Sequence, residues 1–159
     1  MPDDRQGKDN FEYEKKKSEP KYKTIGSEEE LGDMHFSTEN YSVALEYYEK
    51  ALQKIHLAPH PGELFRIYRK ISDCYVQKGL FREAATFLQS AESCCEEDDS
   101  FGKGALACLR GIILRENGAI EKALHEACTA YRLLRTSDDH REVGRVQRLI
   151  ATCYARLGR

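Results

Sequence analysis

The sequence predicts an all-α protein, an α-solenoid of about seven helices arranged as antiparallel pairs. Three observations carry that expectation. Helix-period apolar patterns alternate with short breaks along most of the 159 residues. With only four prolines and no tryptophan, little argues for a strand-rich fold. Similar blocks also recur at a near-constant interval, first 40 and then 39 residues, which signals stacked helix pairs.

The elements follow in order. Residues 1–26 are polar, mix both charge signs and hold only scattered aromatics, so they predict a disordered tail. Its Lys15 to Lys17 run reads as solvated. Ordered structure is expected from 27 to 159. The string SEEE offers Ser27 as an N-cap with Glu30 three residues later, a capping box that opens the first helix. Asn40 is expected to cap a second helix running to about His56, and LAPHP, Leu57 to Pro61, ends it. A second pair fills Gly62 to Cys95 with a break near Gly79. The linker EEDDS, Glu96 to Ser100, supplies caps to a third pair, which breaks near Gly118. TSDD, Thr136 to Asp139, precedes a last helix.

The repeat becomes visible when ENYSVALEYYEKAL, GLFREAATFLQSAE and GAIEKALHEACTAY are superposed. Tyr41, Phe81 and Ile120 coincide, as do Ala44, Ala84 and Ala123, and then Ala51, Ala91 and Ala130. Tyr48 and Leu88 share a bulky slot that holds Ala127 in the third copy. In the preceding helices Leu31-Gly32 matches Ile71-Ser72, Arg110-Gly111 and Ile150-Ala151. Tyr75 matches Tyr154, with His35 and Leu114 in the same slot. CYVQKG and CYARLG end alike, at Gly79 and Gly158.

On these residues the chain from about Gly26 to Arg159 resembles the tetratricopeptide-repeat family. The resemblance implies a right-handed superhelix of three repeats (about 27–61, 62–100 and 101–138) and the first helix of a fourth (139–159). Glu28, His35, Arg110 and Ala127 depart from the family's residue preferences, and the spacing exceeds the usual 34 residues. Alanines in the seam admit neighbouring backbones, and a ring such as Tyr48 fills the space beside them.

Net charge is −2, so bulk electrostatics recruits neither nucleic acid nor anionic membrane. No apolar run reaches the roughly 20 residues of a membrane span, and the N-terminus lacks a secretory core. A cytoplasmic setting is expected, with the six cysteines as thiols. Cys74 and Cys153 share one repeat phase and read as packing residues. Cys94-Cys95 could form a metal or redox sensor, but the adjacent Glu96 and Glu97 should raise the thiol pKa. His56 and His60 are four apart yet flank Pro59 in a helix-ending segment. No nucleophile motif, phosphate loop or dinucleotide fingerprint is visible, so neither an enzyme nor a cofactor or metal site is expected.

The resemblance implies that first helices line a concave groove for a protein or peptide partner. The slots are Glu29, Asp33 and Phe36; Arg66, Arg69 and Asp73; Cys108, Ile112 and Arg115; then Arg145, Arg148, Thr152 and Arg156. Chaperone-binding members grip a terminal carboxylate with lysine and asparagine in the first repeat. Glu29 and Asp33 stand there instead, so that activity is not implied. Arg66, Arg69, Arg145 and Arg148 are candidates for holding an acidic partner segment, against solvated arginines in intrachain carboxylate pairs. Similar long-repeat arrays occur in bacterial signalling and transcription regulators; a receptor for a short free signalling peptide is the alternative. Ile150, Tyr154 and Leu157 would form an apolar stripe on the last helix, open to self-association or to the next helix of a longer array.

Overall fold

The computed structural model describes residues 23–159, which form seven helices. They are α1 (Lys23–Ser37), α2 (Tyr41–Ile55), α3 (Pro61–Gln77), α4 (Phe81–Cys94), α5 (Ser100–Glu116), α6 (Ile120–Leu134) and α7 (His140–Arg156). Each helix packs on its successor, and α3 also touches α5, which touches α7. The fold is therefore an α-solenoid in which first helices of successive pairs meet directly. Residues 1–22, most of the expected tail, lie outside the described residues.

Local chemistry sets the helix ends. Pro61 opens α3, where its missing N–H leaves no helical bond unmade. Asp99 accepts from the Gly102 N–H at 2.7 Å, and Asp139 accepts from Arg141 and Glu142 N–H, each at 3.1 Å. Gly79, Gly118 and Gly158 have φ of 72°, 83° and 69° and stop α3, α5 and α7 in the left-handed region. The next N–H then reaches back to the carbonyl of Tyr75, Leu114 or Tyr154, a Schellman closure. The same closure ends α1, where the Asn40 N–H reaches His35 at 2.9 Å, but Glu39 occupies the left-handed position with φ 61°. The slot shared by His35, Tyr75, Leu114 and Tyr154 thus marks one recurring backbone device.

Two expected caps differ. Helix α1 begins at Lys23, so Ser27 is inside it rather than at its N-cap. Two glutamates of SEEE instead reach other helices: Glu28 pairs with Lys54 at 2.8 Å, and Glu29 with Arg66 and Lys70. Asn40 precedes α2, but its side chain makes no cap bond; its carbonyl accepts from Ala44.

The repeat phases explain the core. Ala44, Ala51, Ala84, Ala91, Ala123 and Ala130 are fully buried. A Cβ on Gly32 would lie 2.4 Å from the Tyr48 ring, so this close approach requires glycine. At the same phase in the second pair, Ser72 donates its hydroxyl proton to the Ala84 carbonyl at 2.8 Å. In the third, Leu149 of α7 lies against Gly111, and Ala127 is fully buried in the same cluster. Arg110, at a leucine slot, points out to Glu92 of α4 and Glu126 of α6. His35 stacks on Tyr47 with ring centroids 5.5 Å apart. Ile71 and Leu88 are buried, Tyr41, Phe81 and Ile120 half-buried. Tyr75 touches both hydrophobic clusters and stacks on Phe87.

Repeat phase does not guarantee burial at the ends. Among the described residues Leu31 is 37% exposed and Ala151 is exposed, whereas Ile71 and Ser72 at the same phases are fully buried. The expected stripe on α7 is smaller than its three residues suggest: Ile150 packs against the core and Leu157 is half-buried, leaving Tyr154 at 41% exposure.

Candidate functional groove

Two adjoining cavities run along the first helices. The larger, about 420 Å³, is bounded by Asp33 and Phe36 of α1, Arg69, Lys70, Asp73 and Gln77 of α3, and Arg141, Glu142, Arg145 and Arg148 of α7. Tyr48 and Asp139 complete its wall. The smaller, about 240 Å³, is bounded by Val76, Phe81, Ile112 and Leu149 together with Arg115 and Glu116. Gln77, Arg145 and Arg148 border both, so they mark the junction.

Helix α5 lies between α3 and α7 and is built for close approach. Gly102, Gly104, Ala105, Cys108 and Gly111 are all buried along it. Gly102 meets Phe65 of α3, Gly104 meets Leu133 and Leu134 of α6, and Gly111 meets Leu149 of α7. With the helices this close, Arg145 grips Asp73, 72 residues earlier. The contact is bidentate, with Nη1 to Oδ2 at 2.7 Å, and both side chains are mostly buried. Burial alone would ease the proton off Arg145, but Asp73 outweighs it and holds the guanidinium firmly charged. Cys108, expected to face the groove, is instead fully buried, and that burial pushes its thiol pKa up to about 12.

A second pair across the same gap is looser. Glu142 stands 3.7 Å from Arg69 and 3.8 Å from Arg145. Among the described residues, its Oε2 and the Arg69 Nε are buried without a hydrogen-bond partner. Burial raises the Glu142 carboxyl pKa, and the Arg145 and Arg69 charges offset this only in part.

Intrachain carboxylates engage most of the predicted groove arginines. Arg66 donates to both oxygens of Glu29 at 2.7 and 3.0 Å, and Lys70 contacts Glu29 and Asp33. Burial would raise the Glu29 carboxyl pKa, but the bonds from Arg66 and Lys70 hold it below the usual value. Arg69, Asp73, Arg145 and Arg148 line the larger cavity; Arg115, Arg145 and Arg148 border the smaller. Arg66, Thr152 and Arg156 line neither: Thr152 accepts from Arg115 at 2.9 Å, and Arg156 donates to the Arg115 carbonyl. Among the described residues, the guanidinium groups of Arg141 and Arg148 have no hydrogen-bond or ion-pair partner.

Sequence reasoning did not single out Lys70, Gln77, Arg141 or Glu142. One signal could have found Lys70. Glu29–Arg66, Asp33–Lys70 and Arg115–Thr152 are each 37 residues apart, the interval at which adjacent first helices meet. Elsewhere, the His56 ring lies 3.2 Å from the Tyr68 hydroxyl. Cys94 and Cys95 are half-buried, and burial followed by Asp99 raises the Cys95 thiol pKa, which opposes thiolate chemistry. No helix among the described residues is long and apolar enough to cross a membrane.

No family model and no curated protein matches the chain in sequence. Solved structures do match. The crystal structure of the Sgt2 TPR domain from Aspergillus fumigatus superposes with a TM-score of 0.60 at 15% identity, covering 85% of this chain and 80% of that one. The fold is that of a tetratricopeptide-repeat domain.

Proposed function

We propose that this tetratricopeptide-type solenoid is a non-catalytic protein-interaction module that holds an extended segment of a partner along α3, α5 and α7. The observation that carries the reading is the pair of adjoining cavities that share Gln77, Arg145 and Arg148. Two compartments joined at shared residues suit a chain presenting successive side chains better than a compact metabolite. Of the four arginines first considered for an acidic segment, three already have carboxylate partners in the chain. Arg148 is the one left to meet a partner carboxylate, and Arg141 joins it from the first turn of α7. A regulatory or sensory role in a cytoplasmic bacterial signalling or transcription regulator fits such a module, with the partner a protein rather than a short free peptide.

The test is affinity capture from the native cell with the wild-type chain and with Arg148→Glu. Arg148 is exposed, so the variant should melt like the wild type while losing the captured partner. Undiminished capture by a normally folded Arg148→Glu chain removes the groove from the interaction.

A further inference from the structure

We propose that the groove selects a polyproline-like segment carrying two acidic residues three positions apart, one for Arg141 and one for Arg148. The inference rests on the groove being a peptide site and names the chemistry that site would recognise.

Charge within the larger cavity is nearly spent. Lys70 is held by Asp33 and Glu29, Arg145 by Asp73, and Arg69 faces Glu142. One oxygen of Asp139, Oδ1, accepts from the backbone N–H groups of Arg141 and Glu142 at the start of α7. Two guanidinium groups, those of Arg141 and Arg148, remain unpartnered among the described residues, and both line the cavity. Arg141 also sits in the first turn of α7, where the helix dipole disfavours a cation. An incoming carboxylate would offset that cost as well as supply the missing partner.

The spacing narrows the ligand. Seven residues of α-helix separate the two Cα atoms by about 10.5 Å along the axis. In a polyproline-type segment, residues three apart point to the same side and lie about 9.3 Å apart. A β-strand puts same-side residues about 6.7 or 13 Å apart, short of or beyond the pair. A partner helix would need its acids seven positions apart, so among extended segments the comparison lies between strand and polyproline spacing. The match therefore falls on the acid-x-x-acid pattern.

The experiment measures fluorescence anisotropy of acetylated, amidated peptides binding the full chain. Blocked ends remove the terminal charges, leaving the two glutamates as the only acids. These are set one to five positions apart in a proline-alanine background, with a single-glutamate control. The expected result is an optimum at a separation of three, about tenfold tighter than the single-glutamate peptide. Arg141→Gln and Arg148→Gln should each reduce that optimum to the level of the control, with melting unchanged. A flat series, an optimum that survives Arg141→Gln, or no binding by any peptide overturns the proposal. If that happens while Arg148→Glu still abolishes capture of the cellular partner, the peptide groove stands and only its acid spacing falls. Loss of both removes the groove itself.

Discussion

Glu142 and Glu29 lie on the same inner surface and titrate in opposite senses. Two cations are hydrogen-bonded to Glu29, so its folded pKa is below the usual 4.5; its contribution is present above that value and lost as pH falls through the folded pKa. Glu142 is desolvated with one oxygen unpartnered, and its folded pKa is raised. Its ionised form costs stability at neutral pH, and that cost is relieved as pH falls through the raised pKa towards 4.5. Melting curves of wild type and Glu142→Gln should therefore converge as pH drops from 7 to about 4.5, the glutamine variant being the more stable at pH 7. A wild type more stable than the variant at pH 7 would show that the Glu142 charge is well satisfied.

Between elements, α3 and α7 are tied across α5 by Asp73 and Arg145, and that tie sets how far the groove can open. Arg145→Ala leaves Asp73 buried without its cation and should cost about 3–5 kcal/mol. Replacing both residues by leucine removes the uncompensated charge and should restore most of the loss. Denaturant melts of the single and double variants check this; equal losses in both would mean that packing, not charge, joins the helices. Sequence legibility also divides here. Recurrence of Ala44, Ala84 and Ala123 at one phase revealed the helix pairs, because close backbone approach needs small residues whatever the partner. The fate of Arg145 was hidden, since a contact 72 residues back depends on superhelix curvature, which repeat spacing does not encode. Ser27 misled because a capping-box pattern also fits a glutamate run inside a helix, two of whose members, Glu28 and Glu29, pair with other helices.

At the scale of the molecule, the helix faces divide the work. The second helices α2, α4 and α6 give their alanines to the scaffold, while α3, α5 and α7 leave two joined cavities along their inner side. Departures from the family pattern fall outside that inner row or are absorbed by packing. Arg110 reaches outward to Glu92 and Glu126, and Ala127 is fully buried in the same hydrophobic cluster as Leu149. Arg69, Asp73, Arg145 and Arg148 were legible as positions on first helices; Lys70, Gln77, Arg141 and Glu142 were not, nor was which side chains stay unpartnered, because that depends on carboxylates one and two repeats away. Site-specific photocrosslinking in the native cell reads the division directly. A photoreactive phenylalanine analogue would replace Gln77, where the cavities join, or Thr86, exposed on α4. Capture of the partner from position 77 and not from 86 is the predicted result; capture from 86 without 77 would contradict it.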